Sequence, residues 1–207
     1  MRIVKKFIKH DEKSALVSRI FDECLLISDS QFLDRIDFYL GKEEKINLIL
    51  SNAYISLDYN NPFIQSKDER AIRIIILNKL LHLNFRRSYN LSYPIEDILV
   101  NREIIKRGYG DDLFYYYYLF LLEYKTQRIK EMEFFLKINT TWLSFFPSDN
   151  YYSAFLRKMI NSFKYRKQFV NKTKKLFLAL KKDLLKDKNL EKAMFLYNEL
   201  GVSHSDS

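Results

Sequence analysis

Between residues 35 and 85 the chain reads RIDFYLG (35–41), INLIL (46–50), YISL (54–57) and, after a polar break, SKDERAIRIIILNKLLHLNF (66–85). The first run sets Arg35, Asp37 and Tyr39 against Ile36, Phe38 and Leu40 until Gly41 interrupts it. Alternation with a period of two marks a strand with one buried face. The next two runs are rich in Ile, Leu and Tyr, with the turn-forming pair Ser51-Asn52 between them. Three short strands are therefore expected, followed by a loop at Asp58-Tyr59-Asn60-Asn61-Pro62. In the last run the period changes. Ile74, Leu77 and Leu81 recur at three and four residues, which predicts a helix to about Asn84 or Phe85 whose apolar stripe packs on the sheet. Ser66 and Glu69 fit a capping box at its start. The fold class that follows is α+β, mostly α-helical, with a small β-sheet packed on a helix.

The flanks are helical by the same reasoning. Glu12 to Ile27 reads as an amphipathic helix with Ala15, Ile20 and Leu26 among its apolar positions. Pro94, after Ser92 as a cap, opens a second helix that should end near Gly108. Asp111 and Asp112 then begin a long aromatic helix, where acidic residues suit the positive end of the helix dipole. Pro147-Ser148-Asp149-Asn150 is the strongest break in the chain. Beyond it, one helix is expected near Ala154 and another after Asn189 as N-cap. Four Gly and three Pro in 207 residues are too few for the turns of a many-stranded sandwich or barrel.

Composition narrows the function classes. With 47% hydrophobic and 16% aromatic residues the chain can build a core and is not of the disordered class. Cys24, the single cysteine, cannot form an internal disulfide. Met1 to His10 lacks the apolar core of a signal peptide, and the longest apolar run, Leu113 to Leu122, is half the length of a membrane span. A cytoplasmic location without a transmembrane segment is the expectation. The net charge of +9 is unevenly placed. Residues 1–156 carry 22 Lys and Arg against 21 Asp and Glu, whereas residues 157–192 carry 13 against 3. The cations of this basic segment include Arg157, Lys158, Lys164, Arg166, Lys167, Lys172, Lys174, Lys175, Lys181 and Lys182, interleaved with Phe155, Met159, Phe163, Phe177, Leu180 and Leu184 at helical spacing. A basic amphipathic helix of this kind packs on its parent domain, meets an anionic surface or holds nucleic-acid phosphates.

Few arrangements could carry chemistry. Asn78 and His82 stand at i, i+4 on the capped helix, the spacing at which zinc peptidases place two His ligands, with a Glu after the first as general base. Here the five residues are Asn78-Lys79-Leu80-Leu81-His82. A neutral amide is a poor zinc ligand, and an ammonium group repels the cation and cannot activate water. His10, His82 and His204 are the only imidazoles that could serve Cys24 as a base, and Cys24 is expected to be a small buried side chain. Gly108-Tyr109-Gly110 lacks the third glycine of a dinucleotide loop and reads as a helix end and turn. Glu43-Glu44 and Asp111-Asp112 are adjacent carboxylates at turn and cap positions. The aromatic stripe Phe114, Tyr115 to Tyr118, Phe120, Tyr124, Phe134 and Phe135 has acidic flanks and is assigned to the core, or to a homodimer contact. No catalytic residue and no cofactor are assigned.

The order of these elements resembles a minimal zincin-like domain: a small sheet, a capped helix bearing NKLLH, then a helix beginning Pro94-Ile95-Glu96-Asp97. The stretch Glu96 to Tyr118 also looks like segments of poorly characterised archaeal zincin-like proteins. In the gluzincin branch the downstream helix supplies an acidic third ligand, and Glu96 or Asp97 stands there. The resemblance spans residues 35–118 and is broken at two of three essential positions, Asn78 and Lys79. It implies a vestigial metal site at Asn78, Lys79, His82, Glu96 and Asp97, in a zincin-like domain over residues 1–146 followed by a basic helical segment over 151–200. The expected function is a catalytically inactive, zincin-like binding or scaffold protein with an unidentified protein partner. The alternative is nucleic-acid or anionic-surface binding through residues 157–192, and the lesser alternative an active zinc metallopeptidase.

Overall fold

The computed structural model describes residues 1–88, 95–126, 140–145, 151–162, 175–176, 178–179 and 189–199. It is an α+β fold in which helices predominate around a mixed four-stranded sheet. The chain divides into two compact units, Met1–Asn90 with Glu103–Tyr116, and Leu91–Arg102 with Tyr117–Ser207.

The first unit holds the sheet, ordered β1-β2-β4-β3. Strand β1 (Arg2–Phe7) runs parallel to β2 (Arg35–Gly41), which is parallel to β4 (Asn52–Asp58), and β3 (Lys45–Ile49) closes the far edge as an antiparallel hairpin with β4. Alternation decides the faces. Ile36, Phe38 and Leu40 of β2 and Ala53, Ile55 and Leu57 of β4 are buried, and the Phe38 ring stacks on Phe21 of helix α1 (Glu12–Ile27) with centroids 4.2 Å apart. Strand β1 is an addition to the sequence reading. Lys5 occupies its helix-facing row and broke the alternation, yet its ammonium is satisfied there by Ser18 Oγ at 2.9 Å and Asp22 at 2.6 Å.

Helix α1 has the expected bounds, and of its expected apolar positions Ile20 is buried whereas Ala15 and Leu26 are not. Ser14, Val17, Ile20, Phe21 and Cys24 are its buried residues, whereas Ala15 is exposed and Leu26 is 86% exposed. At about 3.6 residues per turn, Ala15 and Leu26 fall on the side of the helix opposite Val17 and Cys24. Asp11 caps α1 by accepting the Ser14 N–H at 3.0 Å, and the Tyr59 hydroxyl together with that N–H holds the Asp11 carboxyl down at about 2. The expected loop after β4 contains one helical turn, α2 (Pro62–Gln65), capped by Asn61.

The long helix α3 (Glu69–Ser88) starts later than the proposed capping box. Its N-cap is Asp68, whose carboxylate accepts the Ala71 N–H at 3.1 Å. Ser66 instead closes α2, donating its hydroxyl to the Phe63 carbonyl at 3.2 Å. The reason lies between them: Lys67 takes a left-handed φ of 57°, so no helix can run through it. Ile74, Leu77 and Leu81 are buried as expected, and so are Ile72, Ile75, Ile76, Leu80 and Leu83, giving α3 a wider apolar surface than a single stripe.

Helix α4 (Ile95–Ile104) is followed by a wide helical turn at Ile105–Tyr109, where Gly108 supplies a φ of 90°, and then by α5 (Gly110–Thr126). Ser92 and Pro94 lie outside the described residues, as does the break at residues 147–150. Asp112, in the first turn of α5, receives Arg70 at 2.6 Å and Arg73 at 3.3 Å, joining α5 to α3 within the first unit. The aromatic stripe is less interior than expected. Leu113 and Tyr117 are buried, but Phe114, Tyr115, Tyr116 and Tyr118 keep part of their surface, since a helix this aromatic still presents one flank to water. Phe134 and Phe135 lie outside the described residues, and so do the side chains of Phe120 and Tyr124.

The second unit has a polar knot in its core. Asn101 is fully buried; its amide donates to the Tyr117 hydroxyl at 2.9 Å and to Ser144 Oγ at 3.2 Å, and Ser144 Oγ donates to the Thr140 carbonyl at 2.8 Å. The indole N–H of Trp142 donates to Ser153 Oγ at 3.2 Å. Ser153 lies on the helix Tyr151–Ser162, the one expected near Ala154; Asn189 is the first residue of the helix Asn189–Glu199. No described helix is long and apolar enough to cross a membrane.

Candidate functional site

Helix α3 places Asn78, Lys79 and His82 in the first unit, and α4 carries Glu96 and Asp97 in the second. Asn78 and Lys79 are half-buried, while His82, Glu96 and Asp97 are buried, and none of these last three is without a partner. The sequence spacing does set positions 78 and 82 on one helical face. Lys79, next to Asn78 in sequence, is engaged elsewhere. Lys79 Nζ lies 3.5 Å from Glu44 Oε2, and Glu44 Oε1 also accepts the Asn61 amide at 3.0 Å. The Lys79 ammonium thus ties α3 to the β2–β3 connection and to the cap of α2. Among the described residues, no group of three or more His, Cys, Asp or Glu side chains is placed to hold a metal ion.

Cys24 is fully buried on α1, with Sγ 3.7 Å from the Arg73 carbonyl oxygen. Burial pushes its thiol up to about 12, from an ordinary value near 9. The thiolate, which is the nucleophile, is thereby suppressed about a thousandfold at neutral pH. The native chain is accordingly expected to resist a disulfide-exchange reagent at pH 8 and to react with one equivalent once unfolded in guanidinium; prompt reaction of the native chain would show that Cys24 is accessible. His10 is exposed and His204 lies outside the described residues. The other adjacent carboxylates have structural work: Asp112 holds Arg70 and Arg73, and the hydroxyl of Tyr115 donates to Asp68 at 2.8 Å beside the start of α3.

Of the cations named in the basic segment, Arg157, Lys158 and Lys175 are described, and all three are exposed without an ion-pair partner among the described residues. Lys164, Arg166, Lys167, Lys172, Lys174, Lys181 and Lys182 lie outside the described residues.

Comparison with protein-family models, with curated proteins and with solved structures finds no match. The site is therefore read from its own chemistry.

Proposed function

We propose that this chain is a catalytically silent, zincin-like domain that works as a binding or scaffold protein. The observation that carries the reading is the Lys79–Glu44 ion pair, at 3.5 Å. A water-activating carboxylate would be needed at position 79, and the group there is instead a cation neutralised by a neighbouring loop. The order of elements supports the zincin-like part: a small mixed sheet, then a capped helix bearing NKLLH, then a helix that opens on Glu96 and Asp97. Asn78 and His82 leave such a site short of the three protein ligands that catalytic zinc takes.

Metal analysis of the purified chain after dialysis against zinc is the test. Zinc well below one ion per chain, with no peptide-bond hydrolysis, is expected. One tightly held zinc that is lost on His82→Ala or Glu96→Ala substitution would overturn the proposal and restore the metallopeptidase reading.

A second reading, nucleic-acid binding through residues 157–192, is favoured by Arg157, Lys158 and Lys175, which are exposed and have no ion-pair partner among the described residues. Phosphate contacts of this kind weaken steeply with salt, and charge reversal at Lys174, Lys175, Lys181 and Lys182 would abolish them.

A further inference from the structure

The rows of the sheet that turn away from α1 carry a pattern that neither reading uses. Pairing across the four strands aligns Arg2, Arg35, Asn52 and Ile49 in one row, Val4, Asp37, Tyr54 and Asn47 in the next, and Lys6, Tyr39, Ser56 and Lys45 in the third. Two tyrosines thus sit diagonally on the central strands, both half-exposed, with exposed cations at both edges. Tyr39 lies along its own strand. A Cβ on Gly41 would fall 2.1 Å from Tyr39 Cε1, so the ring is laid over the bare glycine backbone.

Most cations of the helical layer are neutralised, although Lys13 of α1 donates to Gln65 and has no carboxylate partner among the described residues. Arg19, Lys67, Arg70, Arg73, Lys79 and Arg107 are each paired with a carboxylate. On the open face Arg35 is held by Asp37 at 2.8 Å, but Arg2, Lys6 and Lys45 have no ion-pair partner among the described residues. Unneutralised cations flanking aromatic rings, with the exposed amides of Asn47 and Asn52 beside them, match one polymer in charge and in shape: phosphates for the cations, base faces for the rings and base edges for the amides. A membrane surface would be met by projecting apolar side chains, and Ile49 is the only large exposed one in these three rows.

We propose that this open sheet face is a platform for single-stranded nucleic acid, on which Tyr39 and Tyr54 stack against bases while Arg2, Lys6 and Lys45 contact phosphates. The platform owes nothing to Asn78, Lys79 or His82, so it stands or falls separately from the zincin-like reading. It is also distinct from the basic segment at 157–192.

Fluorescence anisotropy of labelled oligo(U) and oligo(dT) of about twelve nucleotides, titrated with the full chain at several salt concentrations, tests it. Both strands should bind, and a duplex of the same length should bind more weakly. The Tyr39→Leu/Tyr54→Leu variant should lose about tenfold or more in affinity, whereas Tyr39→Phe/Tyr54→Phe, which keeps both rings, should bind within about twofold of the parent. Arg2→Ala/Lys6→Ala/Lys45→Ala should lower the salt slope by about two, the value for three released counterions on a single strand. These three positions are exposed, so their effect is read even if the leucine variant fails to fold. The proposal is overturned by absent binding, by equal affinity for duplex, or by affinity that survives the sheet substitutions. It also fails if affinity is lost only on reversal of Lys174, Lys175, Lys181 and Lys182, or if the chain binds vesicles of phosphatidylglycerol but neither oligonucleotide.

Discussion

Replacing Phe38 by alanine is expected to lower the unfolding free energy by about 4 kcal/mol, the largest loss from any single truncation in the sheet. Phe38 is 1% exposed, and its ring stacks on Phe21 at 4.2 Å with 28° between the planes. Truncation removes the transfer energy of the ring and leaves a cavity between β2 and α1. Against a total stability of about 5–15 kcal/mol for a typical chain, such a loss would leave the unit close to its unfolding threshold at 37 °C. Phe38→Leu, which keeps most of the volume, should cost under about 1.5 kcal/mol. Urea unfolding followed by far-UV circular dichroism measures both. A Phe38→Ala loss below about 1.5 kcal/mol would show that α1 does not close-pack on the sheet.

The second large effect lies in the other unit. Asn101→Asp is expected to destabilise by about 3 kcal/mol at pH 7, because it sets a charge at a position with no solvent contact. The neutral amide now donates to both Tyr117 and Ser144, while its Oδ1 accepts from no described group. A carboxylate cannot donate at all. The sign of the pH dependence follows from burial. The introduced carboxyl would have a folded value raised above the unfolded value of about 3.9, so the deficit relative to the parent should be small near pH 4 and grow as pH rises toward 7. Thermal melts of parent and variant across that range give the comparison. A deficit that does not change with pH would show that the site admits water.

Much of this architecture was legible in residue order, for identifiable reasons. The alternation of Ile36, Phe38 and Leu40 with Arg35, Asp37 and Tyr39 was clean, and β2 formed where it was expected. Helix α1 also began and ended where expected, at Glu12 and Ile27. What the sequence hid were side chains whose role is set by tertiary contact. Lys5 made β1 look irregular because its partners, Ser18 and Asp22, lie on a helix that only the fold brings near. Ser66 and Glu69 had the spacing of a capping box, but the left-handed backbone of Lys67 passed the cap to Asp68. At the candidate site, the identities of Asn78 and Lys79 were plain in residue order. The pairing of Lys79 with Glu44 could not be read, because it joins residues 35 positions apart. The open face follows from the strand alternation of β2, but that Arg2, Lys6 and Lys45 have no ion-pair partner among the described residues is visible only in the fold.

The hydrogen bond from Trp142 to Ser153 has a spectroscopic corollary. The chain has one tryptophan, and it belongs to the second unit. Emission excited at the red edge of indole absorption, where tyrosine is dark, therefore watches that unit alone, while the sheet-bearing unit goes unseen. The protein carries a built-in reporter by which the melting of its two halves can be told apart without a dye or an engineered label.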